Sequence, residues 1–119
     1  QGGALAEQAI QVGSMKLLTA QLHNIDRAEL RQMVDQLKDK LGEAAVLLAS
    51  VRDDKILLAA GVSASCVQYL KAGDLLRYVA TQVDGKGGGR DQFAQGGGEN
   101  IAALPDALSS VQQWVQGKV

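Results

Sequence analysis

The sequence predicts a single α/β domain, in which a small mixed β-sheet packs with helices and a glycine-rich loop lies between the last two helices. Three observations predict this fold. The length of 119 residues is sufficient for one hydrophobic core and too short for two. Short aliphatic runs of strand type are interspersed with segments whose apolar residues recur at helical spacing. Half of the 14 glycines lie between Gly85 and Gly98, after the last predicted strand.

The first third of the chain predicts a hairpin followed by a helix. In "AIQVGSMKLLTAQLHN", two apolar runs flank a turn at Val12-Gly13-Ser14. The next segment, "DRAELRQMVDQLKDKLG", has helical periodicity, opens with the capping pair Asp26 and Glu29 and stops at Gly42. Its charged residues are interpreted as a solvated face, comprising Arg27, Arg31, Asp35, Lys38 and Asp39.

The remaining elements follow in order. The runs "AAVLLASV" and "KILLAAGV" predict adjacent central strands, covered on both faces and joined by a turn at Asp53-Asp54. "SASCVQYLKAGDLLRYVATQV" predicts two helical pieces or one bent helix, with Ser63 as N-cap and a break at Gly73. "LPDALSSVQQWVQG" predicts a closing helix with Pro105 in its first turn and Leu108, Val111 and Val115 inward.

Composition limits the classes of function. A net charge of -1 gives no broad positive field, so any contact with nucleic acid must be local. No apolar run approaches the roughly 20 residues that span a bilayer, and nothing resembles a signal peptide. The single cysteine, Cys66, excludes an internal disulfide and a multi-cysteine zinc cluster. A cytoplasmic protein without a membrane segment is expected.

The residues that could carry catalysis are better explained otherwise. His23, the only histidine, ends a predicted strand without an oriented partner. Cys66 lies in the first turn of a predicted helix, where a thiol pKa can be lowered, but it has no second cysteine or histidine nearby in sequence. Asp53 and Asp54 suit a turn. We therefore predict no catalytic residue, no metal site and no cofactor in this chain.

The glycine-rich segment, "GKGGGRDQFAQGGG", admits two interpretations. Its context fits neither a dinucleotide fingerprint, which follows a strand, nor a Walker loop, because Gly87 rather than Ser or Thr follows Lys86. Consecutive glycines with positive φ angles can form an anion nest, to which Lys86 and Arg90 would add charge. A flexible linker is the alternative. The charged and aromatic residues between the two glycine triplets favour a binding loop.

Several stretches together resemble the end of bacterial alanyl-tRNA synthetases, in a domain also appended to DHH-family phosphodiesterases. They are "GSMKLLTAQL", "LRQMVDQLKDKLG", "VLLASVRDDKILLAAGVS", "LKAGDLLRYVATQVDGKGGG" and "GKGGGRDQFAQGGGENIAALPDALSSVQQWV". The resemblance covers residues 10–119, the expected domain. Residues 1–9 are then a linker or the end of a preceding helical segment. Where many members have Arg-Pro-Asp, this chain has Arg90-Asp91-Gln92, so no role is carried over to Asp91.

The resemblance implies a non-catalytic domain that grips the outer corner of an alanine-accepting tRNA in support of aminoacylation and editing. It also implies that ATP binds elsewhere in a parent alanine–tRNA ligase, and that the helical segment before the domain contributes to a homodimer. Together with the chemistry of the loop, it predicts RNA contacts at Lys86, Gly87, Gly88, Gly89, Arg90, Phe93, Gln95, Gly96 and Gly97. The alternative functions are the substrate-binding domain of a DHH-family phosphodiesterase and, less favoured, a structural dimerisation domain.

Overall fold

A six-stranded mixed β-sheet forms the centre of the computed structural model, which describes residues 2–119. The strands lie in the order β1-β2-β3-β4-β6-β5; β2 and β3 are parallel, and every other neighbouring pair is antiparallel. The elements in chain order are α1 Gly2–Ala6, β1 Ile10–Val12, β2 Met15–His23, α2 Arg27–Leu41, β3 Ala44–Arg52, β4 Lys55–Val62, α3 Ala72–Gln82, β5 Lys86–Gly89, β6 Phe93–Gly98 and α4 Leu104–Gln116. This architecture confirms the predicted fold class.

Helices cover both faces of the sheet. On one face α2 packs over the centre through Leu30, Val34 and Leu37. On the other face α3 and α4 contribute a larger apolar cluster that includes Leu75, Leu76, Val79, Leu104, Leu108, Val111 and Val115. Between them, β3 is buried from Ala44 to Ser50, as expected of a central strand. None of the helices within residues 2–119 has the length and apolar character needed to cross a membrane.

Local signals define the ends of several elements as predicted. Asp26 caps α2 by accepting a hydrogen bond from Glu29 N at 2.8 Å, and the helix ends at Gly42, whose φ is 86°. The turn between β3 and β4 has positive φ at both Asp53 and Asp54 (52° and 61°). Two consecutive positive φ angles match the right-handed twist of a two-residue hairpin, which explains the preference for aspartate there.

The segment after β4 is divided in two, but not at the predicted residue. A short 3-10 helix at Ala64–Cys66 precedes α3, and Gly73 lies buried in the first turn of α3 rather than at the break. Ser63 does not cap the first piece with its side chain. Its hydroxyl instead donates to Gly42 O at 2.5 Å and accepts from Ala44 N at 3.1 Å, and so connects the end of α2 to the start of β3.

The glycine-rich segment is a β-hairpin, which corrects the predicted loop between the last two helices. β6 pairs with β4, and β5 forms the edge of the sheet. The glycines let α3 pack directly on this backbone: a Cβ added at Gly87 would lie 2.7 Å from Leu76 Cδ1, and one at Gly96 would lie 2.9 Å from the same atom. Close packing is therefore one physical reason for the glycine content.

Candidate nucleic-acid interface

No anion nest forms in this hairpin. Within residues 2–119, the only glycines with positive φ are Gly13 and Gly42, so the glycines between 85 and 98 lack the left-handed conformation that a nest requires. The predicted nest is therefore wrong. Any anion bound here must be held by side chains and by N–H groups at the edge of the sheet.

The hairpin turn is anchored on the beginning of α3. Arg90 N donates to Phe93 O at 2.8 Å and closes the turn. The carbonyl groups of Asp91 and Arg90 then accept from the first amides of α3, at 2.8 Å from Ala72 N and 3.0 Å from Gly73 N. An exposed ion pair between Lys71 and Asp91, at 3.9 Å, lies at the same place. These contacts fix the backbone of the turn at Arg90.

A cleft of about 780 Å³ opens beside this turn. It is lined by the chain from Gly88 to Gln95 and by Arg31 of α2. The guanidinium carbon of Arg31 lies 4.0 Å from the centre of the Phe93 ring, a cation–π contact. Phe93 is itself half-buried against the apolar cluster under α2. The cleft thus combines two guanidinium groups, the carboxylate of Asp91, an aromatic ring and an exposed amide, Gln95.

A second cleft, of about 430 Å³, lies further along the hairpin. Lys86 and Gly97 line it together with Arg27 of α2 and Lys55 of β4. Lys55 forms an exposed ion pair with Glu99 at 3.6 Å. Among residues 2–119, no carboxylate forms such a pair with Arg27, Arg31, Lys86 or Arg90. Four cations around the two clefts therefore remain available to an anionic ligand.

The predicted site residues divide between the two clefts and the helix α3. Gly88, Gly89, Arg90, Phe93 and Gln95 line the first cleft, and Lys86 and Gly97 line the second. Gly87 and Gly96 line neither, because their α-carbons face Leu76 of α3. Sequence reasoning missed Arg27, Arg31 and Lys55, and it assigned the two arginines to a solvated surface. Their spacing of four residues places them on one side of α2, but only the tertiary structure shows that this side faces the hairpin.

The residues considered for catalysis do not form a reactive group. His23 is exposed at the end of β2. Cys66 is 2% exposed, and burial raises the pKa of its thiol, which is the opposite of activation. In the part of the chain from residue 2 to 119, no group of three His, Cys, Asp or Glu side chains is placed to hold a metal ion. The clefts beside the hairpin are the candidate binding sites because of their four available cations.

Comparisons with a family model, with curated proteins and with solved structures all relate the chain to the same kind of domain. The sequence matches the DHHA1 domain over residues 14–117. The alanine–tRNA ligase of Acidovorax sp. (strain JS42) is 51% identical over all 119 residues, and the chain spans 14% of the length of that ligase. The crystal structure of the C-Ala domain from Aquifex aeolicus alanyl-tRNA synthetase superposes with a TM-score of 0.85 and 30% identity, covering 92% of this chain and 98% of that domain.

A more distant likeness connects the fold to a different class of protein. RecJ from Thermus thermophilus, crystallised with Mg²⁺, superposes with a TM-score of 0.63 and 16% identity. The match covers 96% of this chain and 16% of RecJ. At this identity the comparison establishes a common fold and nothing about the ligand.

Proposed function

Because the chain belongs to the DHHA1 domain family, we propose that it is the C-terminal tRNA-binding domain of a bacterial alanine–tRNA ligase. The observation that carries the proposal is the 51% identity to such a ligase along the whole chain. In this proposal the domain grips the outer corner of an alanine-accepting tRNA. Aminoacylation, ATP binding and editing then belong to other parts of the ligase, and this domain contributes affinity and orientation without catalysis.

The two clefts support a contact with the RNA backbone. Arg90 extends from an anchored turn, so the backbone does not have to be ordered when its guanidinium binds a phosphate. Arg31 and Phe93 offer a cation and a stacking surface side by side, as RNA-binding sites commonly do. In the first cleft, Gln95 adds a donor and an acceptor that can reach a ribose hydroxyl. The net charge of -1 confines attraction to these clefts.

The alternative function, a substrate-binding domain of a DHH-family phosphodiesterase, is less well supported. Its basis is the fold shared with RecJ at 16% identity. The identity to the Aquifex C-Ala domain is 30%, with a TM-score of 0.85. We therefore favour the ligase.

The proposal includes a cytoplasmic location and a homodimer formed through a helical segment before residue 10. Within that stretch, α1 is a single short helix whose Leu5 and Ala6 pack against the apolar cluster under α2. Gln1 lies outside the described residues. Sedimentation of the whole ligase, compared with that of residues 10–119, tests the contribution of this segment to the dimer.

The experiment that tests the function measures binding of this chain to an alanine-accepting tRNA and to an unstructured RNA of the same length. We expect weak binding with preference for the folded tRNA. A plot of the logarithm of the affinity against the logarithm of the salt concentration should have a slope of roughly -2 to -4, because few phosphates are neutralised. Arg90→Ala should weaken binding by roughly 1–2 kcal/mol.

Lys16→Ala is the matched control, since it removes one exposed charge from β2, which β3 and β4 separate from the hairpin. Its affinity should equal that of the wild type. Equal affinity for both RNAs, with no effect of Arg90→Ala, would refute the proposal.

A further inference from the structure

The two clefts lie side by side along the hairpin, and β6 contributes residues to both. Phe93, Gln95 and Gly97 alternate along β6 and pair with Gly61, Ala59 and Leu57 of β4 respectively. In β4, Leu57 and Ala59 belong to the cluster under α2, so these three residues of β6 face the same side of the sheet as α2. α2 covers β3 and β4 and leaves β6 and β5 open on this side. A groove is therefore bounded by α2 and floored by the hairpin.

Cations lie on both sides of this groove. On the wall, Arg27 lines the second cleft and Arg31 the first; four residues of helix separate them by about 6 Å along the axis. On the floor, Lys86 begins β5 and Arg90 follows its last residue, so four residues of extended chain, or about 13 Å, separate them. A ribose-phosphate strand carries one negative charge per nucleotide, so a strand that lies along the groove passes both pairs of cations.

We propose that this groove binds two phosphates of one RNA strand, with Arg31 and Arg90 at the first phosphate and Arg27 and Lys86 at the second. The proposal rests on the proposed function and adds α2 to the interface. Phe93 positions Arg31: its ring fixes the guanidinium 4.0 Å away and leaves the N–H groups at the edge of that plane free to bind phosphate oxygens. Carboxylates line both clefts, Asp91 the first and Asp84 and Glu99 the second, and they reduce the positive charge of each.

The test compares the salt dependence of tRNA binding among single variants. Arg27→Ala and Arg31→Ala should each weaken binding by roughly five- to tenfold at low salt and reduce the magnitude of the slope by less than one, because the second cation of each pair still contacts the phosphate. Lys40→Ala is the matched control. It removes the same charge from the same helix, and its position is roughly 140° around the axis from Arg27. Lys40 is exposed, so its replacement should leave both slope and affinity unchanged.

Arg31→Lys tests whether the positive charge alone is sufficient or the planar guanidinium on Phe93 is also needed. The lysine keeps one cation but loses the planar stack on Phe93, so the slope should stay near that of the wild type while affinity falls. Circular dichroism and thermal unfolding show whether each variant folds. If Arg31→Ala fails to fold, Arg27→Ala and Arg31→Lys carry the test, since Arg27 takes no part in the aromatic contact.

The outcomes distinguish this inference from the function on which it rests. If Arg90→Ala weakens binding while Arg27→Ala and Arg31→Ala behave like Lys40→Ala, the groove is overturned and the hairpin site survives. If the wild type does not bind tRNA, both fail. Inorganic tripolyphosphate serves as a competitor without ribose or base. Displacement of tRNA by tripolyphosphate at equal phosphate concentration would overturn an RNA-strand site in favour of a general polyanion site.

Discussion

Two adjacent glycines of β5 should differ in their response to replacement by alanine. A Cβ at Gly87 would lie 2.5 Å from the Gly96 Cα, 2.7 Å from Gln95 O and 2.7 Å from Leu76 Cδ1. Two of these three atoms belong to the backbone of the paired strand and cannot move without disturbing the sheet. A Cβ at Gly88 would meet a single atom, Arg77 Nη1 at 3.0 Å, at the far end of a flexible side chain.

The expected magnitudes follow from these distances. Overpacking of a well-packed region typically costs about 1–3 kcal/mol, and alanine recovers about 0.4–1 kcal/mol through the lower entropy of the unfolded chain. Gly87→Ala should therefore lower the free energy of unfolding by about 1–2 kcal/mol. At Gly88 the exposed Arg77–Asp74 ion pair, at 2.6 Å, must adjust, which costs no more than about 1 kcal/mol. Gly88→Ala should stay within about 0.5 kcal/mol of the wild type, because the cost of moving the Arg77 side chain and the entropic gain from alanine offset each other.

Urea denaturation monitored by circular dichroism measures the free energy of unfolding of both variants. The comparison holds when this free energy falls with urea concentration at the same rate as in the wild type. A loss of 1 kcal/mol corresponds to a fall of about 4 °C in Tm for a domain of this size. Equal stability of the two variants would show that packing against α3 is not what requires glycine at position 87. In that case a requirement imposed by the bound ligand would become the better explanation.

Three further predictions concern residues away from the clefts. Burial raises the pKa of the Cys66 thiol. The stabilisation linked to this shift is therefore complete below the ordinary pKa of 9.0 and is lost as pH rises through the higher pKa of the folded state. The free energy of unfolding should fall more steeply above pH 9.0 in the wild type than in Cys66→Ala, and parallel curves would contradict this. Ser50→Ala should cost about 1–2 kcal/mol in urea denaturation, because the buried hydroxyl accepts from Ile25 N at 2.9 Å; an unchanged midpoint would refute that role. Asp54→Gly should raise Tm slightly, through a gain of about 0.5 kcal/mol, because Asp54 has a φ of 61°, and a lower Tm would argue against strain in the turn.

The elements predicted correctly are those whose signals are local. The capping pair Asp26 and Glu29 defines the beginning of α2, and Gly42 defines its end. The aliphatic runs of β3 and β4 are continuous, as buried strands require, and the aspartates between them suit a tight turn. Each of these signals acts over a few residues, so the sequence alone is sufficient to place the element.

The glycine-rich strands could not be predicted in this way. Glycine has low β-propensity, and "KGGG" gives no alternation of polar and apolar side chains. β6 becomes a strand because it pairs with β4, for example at Ile56 and Gly98, and β5 because α3 packs on it. Arg31 illustrates the same limit, since its contact with Phe93 joins residues 62 positions apart. Tertiary contacts determine both features.

Weak binding by the isolated domain would be consistent with the proposed role. Two phosphate contacts in water contribute little beyond the entropy lost on association, so the domain alone should release RNA readily. As one part of a longer ligase, however, the domain would meet a tRNA already held elsewhere. Its binding step would then be intramolecular, with an effective concentration set by the connecting segment and reaching the millimolar range for short linkers. A few localised cations are sufficient under that condition, and a near-neutral net charge of -1 limits unproductive binding to other RNA.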